Sequence, residues 1–493
     1  MLDGFPLPPA ADGEELARRF WAHHSQHGEP LMEAVDGLAE LALAADVTTA
    51  TLATHALFEQ VIEPLCDGFT PEGAEIYRRV FARLVCAARR VRACAAFEQA
   101  LGVRGLRSER DLLAWRPAAP PLRRAADRDA VRTVLVLSRL TLGADVAICA
   151  PVLRRVRRLF PDARVALVGG EGAGAVARCV PGVEHVPLVY GRTARLADRL
   201  NAWAALCRTV TEALGAETDG HIVLDPDSRL TQLGLLPPVD AARYYHFPSR
   251  EYGSDRTEPL SVLVRRWLAE TFGGRDVDDA PFALPDADRR WAERLRAVLG
   301  EGVPVVSASF GVGGNVRKRA GLELEVRLLE RIVRRGARVL LARGAGGAEL
   351  EESERLTSRL AERGVSVLHL PPGRALAGLD GRSPDVVTWQ ADVGAFLAAV
   401  ACADAYVGYD SAGQHIAAAF GVPTLSLFLE SAGRKHALRW APRGEGPVRI
   451  LRGVRPVDAG RFLNDACKAL DELLDAGATR RRAGIVPLNL RAS

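Results

Sequence analysis

Residues 406–428, YVGYDSAGQHIAAAFGVPTLSLF, decide how the rest of the chain is read. The apolar start through Val407 and Gly408 has the composition of a buried strand, and VPTLSLF at 422–428 that of a second. Between them lie Asp410, Ser411, Ala412, Gly413, Gln414 and His415, then IAAAF, a helical pattern stopped by Gly421. A strand, a small-residue turn, a short helix and a strand make a parallel βαβ unit. Small residues at such a turn let a ligand approach the backbone. The N–H groups at the helix N-terminus favour an anion such as a diphosphate. Ser411 adds a hydroxyl donor, and His415 falls in the helix's first turn. Ordinary helix capping would use the same residue types, so spacing alone leaves both readings open.

Working outward, 493 residues give room for two or three domains. A hydrophobic content of 48% suits a globular fold, and a net charge of +4 gives no support for a nucleic-acid partner. Eight cysteines are scattered from Cys66 to Cys467 without a Cys-x-x-Cys pair. That pattern argues against a zinc site or a disulfide framework and for a reducing cytoplasm. The opening MLDGFPLPPAADGEE lacks the basic region and apolar core of a signal peptide, and no apolar run reaches membrane-spanning length.

Residues 1–115 read as helical. Leu16, Phe20 and Trp21, then Leu31, Val35, Leu38 and Leu41, recur at helical spacing. Thr70-Pro71-Glu72 sets an N-cap and a proline before the run Ile76, Val80, Leu84, Val91, and Ser108 with Asp111 predicts another capped start. His23, His24 and His27 lie close together, but nothing is set to complete a metal site, so a solvent-exposed helix is expected and no metal. These helices also offer a surface for a homo-oligomer. WRPAAPP at 115–121 predicts a stiff linker over 116–130.

An α/β unit is expected over 131–295. VLVL at 134–137 is a buried strand of the parallel-sheet kind. The loop SRLTLGAD ends on Asp145, whose residue type also suits a helix N-cap; a helix then turns Val152, Val156 and Leu159 inward. HIVLD at 221–225 is another strand ending on an acid, followed by Ser228 and Arg229. Open α/β sheets bind ligands at strand carboxyl ends, which makes Asp225, Ser228 and Arg229 candidates for one wall of a cleft. A second α/β unit is expected over 296–475. There the strand VVSASF at 305–310 runs into the glycine-rich basic loop GVGGNVRKR, which lacks the Gly-Lys-Ser/Thr ending of a P-loop. ARVLLAR at 337–343 is a strand, and GAGGAE at 344–349 opens a helix. Arg434 and Lys435 could reach a bound diphosphate or simply be solvated. A last helix over about 458–474 is placed to cross back to the first unit, and 476–493 reads as a basic tail.

The 406–428 stretch resembles the C-terminal signature of the bacterial heptosyltransferase family, glycosyltransferase family 9. That signature is a strand, Asp-Ser-Gly, two residues, His, an alanine-rich helix, Gly-Val-Pro-Thr and a strand. Asp410, Ser411 and His415 keep its spacing, with Ala412 in place of Gly. Residues 133–168 resemble the family's opening, including Phe160-Pro161-Asp162-Ala163. Gly143-Ala144-Asp145 has one residue more than the family's Gly-Asp pair.

The resemblance covers about 131–475. It implies the α/β architecture called GT-B, two facing Rossmann-like domains with parallel sheets, here preceded by an all-α N-terminal domain. It implies a bacterial, cytoplasmic transferase that inverts, uses no metal and needs no cofactor. The donor would be a nucleoside diphosphate sugar, ADP-linked, carrying heptose or a related hexose, and the acceptor a hydroxyl of a glycan or small molecule. Asp145 would be the general base. Lys318, one of three lysines in the chain, would contact the donor sugar-phosphate beside Gly311, and Glu349 or Glu351 would lie near the ribose. Asp410, Ser411, Ala412, Gly413 and His415 would hold the donor, while Asp225, Ser228 and Arg229 would face the acceptor. A sugar-nucleotide epimerase and a non-catalytic sugar-nucleotide sensor fit the same residues.

Overall fold

A computed structural model describes residues 12–191, 195–215, 219–274, 279–300, 302–313, 315–344, 346–379, 383–429, 433–453 and 459–482. Two all-parallel sheets organise it. The first contains β1 (Thr133–Leu137), β2 (Arg164–Gly169), β3 (Val183–Pro187), β4 (His221–Asp225) and β5 (Tyr244–His246), in the order β3-β2-β1-β4-β5. The second contains β6 (Val305–Ser309), β7 (Arg338–Ala342), β8 (Val367–His369), β9 (Val386–Trp389), β10 (Ala405–Tyr409), β11 (Thr424–Leu429) and β12 (Val448–Gly453). Its order is β12-β11-β10-β6-β7-β9-β8. The central strands β1, β4, β6 and β10 are buried along their whole length. Crossover helices cover both faces of such sheets, which is why these strands read as unbroken apolar runs. Strand order reverses between β1 and β4 in one sheet and between β10 and β6 in the other, and ligands favour those crevices.

The N-terminal helices share a core with the first sheet. Phe20, Leu38, Leu57 and Phe81 lie in one apolar cluster with Leu135 and Leu137 of β1, Val168 of β2, and Trp203 of the helix Leu196–Leu214. The capped starts expected at Thr70 and Ser108 are present, the second as a full capping box with Asp111. Residues 116–130 are laid along the first unit, with the Ala118 N–H donating to the Ala241 carbonyl and the Tyr245 hydroxyl to the Pro120 carbonyl.

Two elements sit elsewhere than the sequence suggests. The helix Asp286–Leu299, which straddles the boundary at 295 expected between the two units, packs on Val393–Ala401 of the second, with Trp291 6.3 Å from Trp389. The last helix, Ala459–Arg482, packs on the second unit instead of crossing back. Its Phe462, Ala466, Leu470 and Leu473 join the core of β10 and β11, and Asp471 pairs with Arg331 and Arg335. An apolar helical stripe goes to an uncovered apolar face. The second sheet offers one, whereas the N-terminal helices already cover a face of the first.

Candidate active site

Beyond β1 the chain forms one continuous helical stretch through Leu142–Ala144, Asp145–Cys149 and Ala150–Leu159. Its middle segment is a π-turn, which holds one residue more than an α-turn. It begins at Asp145, directly after Gly143-Ala144. Asp145 is not the helix N-cap, because Thr141 holds that position and the Asp145 N–H donates to the Thr141 carbonyl. Its carboxylate is 2% exposed and turns back toward the loop. Oδ1 accepts the Arg139 N–H at 2.7 Å, and Oδ2 accepts the Ser138 hydroxyl at 2.8 Å. The Cys149 thiol lies 3.2 Å from Oδ1. Burial raises the Asp145 pKa, and these neutral donors offset only part of that shift.

The β10 turn places its carboxylate differently. Asp410 Oδ2 accepts from Lys318 Nζ at 2.8 Å and lies 3.3 Å from His436 Nε2, while Oδ1 accepts from Gln414 Nε2 at 2.8 Å. Burial alone would raise the Asp410 pKa, but Lys318 and then His436 hold it well below the usual carboxylate range. The same contacts, with Asp67, overcome burial at His436 and lift its pKa to about 9. Gln414 also bonds Ser426 and so ties the helix Ala412–Ala419 to β11. Gly413 packs over Tyr406, and a Cβ there would collide with the tyrosine hydroxyl. His415 is buried against Trp440 at 6.1 Å, and burial lowers its pKa to about 4, leaving the ring neutral near pH 7.

Glu349 reaches the same strand ends. It accepts the Gly313 N–H at 3.0 Å and fills the space beside Gly311, where a Cβ would stand 2.8 Å from its Oε1. Glu351 is exposed, so of the two glutamates only Glu349 stands at the loop. Lys435 is partly exposed, and Gly314 and the Arg434 side chain fall outside the described residues.

The two turns meet across the domain junction. A Cβ on Gly143 would stand 3.1 Å from Ala412 Cα and 3.6 Å from His415 Cδ2. The structure does not bring the β4 residues to an open surface. Asp225 is fully buried and accepts from the Ser228 N–H and from the hydroxyls of Thr231 and Tyr244. The Ser228 hydroxyl donates to the Ser138 carbonyl at 2.7 Å. Arg229 points its Nη1 at Cys66 Sγ, 3.4 Å away in the helical region. These side chains hold a folded loop beneath the N-terminal helices, which corrects the open acceptor wall expected of them.

Near them lies a segment with no sequence signal of its own, residues 67–69. Phe69 is fully buried with φ of 49°, under the guanidinium groups of Arg250 at 4.8 Å and Arg439 at 5.9 Å. Asp67 pairs with Arg250 at 3.5 Å and with His436 at 3.6 Å. A left-handed phenylalanine costs on the order of 1–2 kcal/mol, and burying its ring contributes roughly 1.5–3 kcal/mol. Arg139 and Arg250 both flank Asp227, at 3.6 and 3.5 Å, so the segment sits at the β1–β4 crevice. Its partners lie far away in sequence, and no local pattern announces them.

Among the described residues no group of three or more His, Cys, Asp or Glu is gathered as a metal site would require, and no helix is long and apolar enough to cross a membrane. No protein-family model matches the chain, and no curated protein does. Solved structures do match. A glycosyl transferase family 9 protein from Veillonella parvula DSM 2008 is 15% identical with a TM-score of 0.52, over 70% of this chain and 97% of that one. The E. coli heptosyltransferase WaaC with ADP is 16% identical with a TM-score of 0.48, over 69% and 99% of the two chains. E. coli ADP-heptose lps heptosyltransferase II is 14% identical with a TM-score of 0.48, over 69% and 98%. At such identities similarity speaks to architecture. Two facing parallel Rossmann-like sheets, an architecture shared with the Veillonella protein, give this chain the GT-B fold, and a helical N-terminal region precedes them.

Proposed function

We propose that the chain is an inverting glycosyltransferase that moves a sugar, heptose or a related hexose, from a nucleoside diphosphate donor to a hydroxyl. The observation that carries this reading is the meeting of the two turns. A carboxylate whose pKa burial raises stands across the junction from a helix N-terminus, a lysine and a buried neutral histidine. The first suits a group that takes a proton, the second a group that holds a diphosphate. In the step, the acceptor oxygen bonds the anomeric carbon as the bond from that carbon to the diphosphate oxygen breaks. The hydroxyl proton passes to Asp145, and the bonding pair leaves with the diphosphate. Lys318 and the N–H groups at Ala412 and Gly413 stabilise that leaving charge without a divalent cation. Asp410 and His415 position the donor, and Glu349 stands where a ribose would be bound.

An ADP-linked donor is the form we infer, as the resemblance to the heptosyltransferase family implies. Eight unpaired cysteines suit a reducing, cytoplasmic setting. The test is incubation with ADP-sugars and an acceptor library, read by mass spectrometry. A glycosylated acceptor supports the transferase. An isomerised donor would make the protein an epimerase, and binding without turnover would make it a sensor.

A further inference from the structure

If the chain is a transferase, its acceptor needs a path to Asp145, and the crevice between β1 and β4 does not supply one. Phe69 fills that side, with Asp67 and Arg250 locked together beside it. On the opposite side of β1, toward β2 and β3, a cavity of about 70 Å³ opens against the Asp145 carboxylate. Leu140 and Leu142 line it from the β1 loop, Gly170 and Gly172 from the β2 turn, and Tyr190 from beyond β3. Leu140 is held at φ of 68° in that wall. Gly172 leaves the wall open, since a Cβ built there meets nothing within 4 Å, and at Gly170 the nearest atom is the Leu188 carbonyl oxygen at 3.8 Å. Val189, next to Tyr190, is 92% exposed and extends an uncharged rim.

We propose that this cavity is the acceptor subsite, and that it takes a slender, uncharged arm ending in a primary hydroxyl. Its volume is well below the roughly 300 Å³ at which whole-ligand pockets begin, so it admits an arm of the acceptor and leaves the acceptor's body outside. Among the described residues that line it, Asp145 is the one charged side chain. The nearby arginines are engaged elsewhere. Arg139 bonds the Pro226 carbonyl and Ser249, Arg250 bonds the Cys66 carbonyl, and Arg229 faces Cys66. A phosphate next to the reacting hydroxyl would therefore meet a buried carboxylate and, among the described lining residues, no cation to offset it. A neutral hydroxymethyl group meets Asp145 with its proton and apolar walls with its carbon.

Gly172→Leu tests this directly, because the helical backbone there accepts a side chain and the added bulk fills the cavity. Wild type and variant are assayed with an ADP-sugar and two acceptor sets, methyl hexosides and the same glycosides carrying a phosphate on the 4-hydroxyl, beside the hydroxymethyl arm. ADP affinity by calorimetry and the melting temperature serve as controls, and Gly172→Ala is a milder second variant. We expect wild type to favour the unphosphorylated hexosides. The leucine variant should lose at least tenfold in kcat/KM and the alanine variant less, with ADP affinity and melting temperature unchanged in both. Undiminished transfer by a folded leucine variant, or a wild-type preference for the 4-phosphates, would overturn the subsite and leave the transferase reading standing. Absence of transfer by wild type from every donor would overturn both.

Discussion

Asp145 and Asp410 occupy matching places, each just past the end of a central strand and at or near the start of a helix, yet their surroundings push them in opposite directions. Asp145 receives a backbone N–H and a hydroxyl, and burial raises its pKa. Asp410 is buried too, but Lys318 and His436 stand against it and hold its pKa down. Two carboxylates whose environments drive their pKa values apart divide the work between them. The one with no direct ion pair among the described residues, whose pKa burial raises despite the nearby Arg139, can accept a proton, and the ion-paired one can only hold things in place.

The sharpest way to break that contrast is Asp145→Asn, which keeps size and shape and one of the two acceptor oxygens but cannot take a proton. Transfer should fall by roughly 10²–10⁴-fold, with ADP affinity near wild type. The wild-type rate should rise with pH through a value above the usual carboxylate range, following the direction of the Asp145 shift. A full rate for the asparagine variant, read by product formation, would reduce Asp145 to a loop brace. Asp225 would not replace it, since its bonds to Ser228, Thr231 and Tyr244 hold it within the fold.

On the other side of the contrast, Lys318→Ala removes a charge from the expected phosphate site. Charge-assisted contacts contribute about 1.5–3 kcal/mol, so ADP affinity should weaken by roughly 10- to 100-fold in calorimetry. Unchanged affinity in a folded variant would leave Lys318 as a structural partner of Asp410 alone.

A smaller effect should appear in stability against pH. His436 gains Asp67 and Asp410 as partners, and its pKa rises from 6.5 in the unfolded chain to about 9. Its contribution is therefore complete below pH 6.5 and is lost as pH rises through about 9. His436→Gln should flatten that part of the melting profile, a change of about 2–4 °C for each kcal/mol lost. Identical profiles for the two proteins would show that the histidine does not clamp the helical region to the β10 turn.

The smallest effect is expected from deleting Ala144. If the π-turn at Asp145–Cys149 only absorbs an extra residue, the helix should become regular and the carboxylate should stay in place. Turnover should remain within roughly threefold of wild type, since no side chain that meets the substrates is removed. A loss as large as that of the asparagine variant would show that the π-turn itself aims Asp145.

The sequence by itself determined the local units. Apolar runs such as VLVL and YVGY specify strands buried on both faces, and Thr70-Pro71 and Ser108 specify capped helices, because these signals act within a few residues. The βα turns bearing Asp145 and Asp410 were legible for the same reason. Tertiary structure decided what local signals cannot encode. It placed Asp225, Ser228 and Arg229 beneath the N-terminal helices, kept the last helix on its own sheet and drove Phe69 into the β1–β4 crevice. It also gave two similar aspartates opposite chemistries. Burial and charge pairing depend on residues brought together from distant parts of the chain, as Asp67, Asp410 and His436 are, and no spacing along the sequence records that meeting.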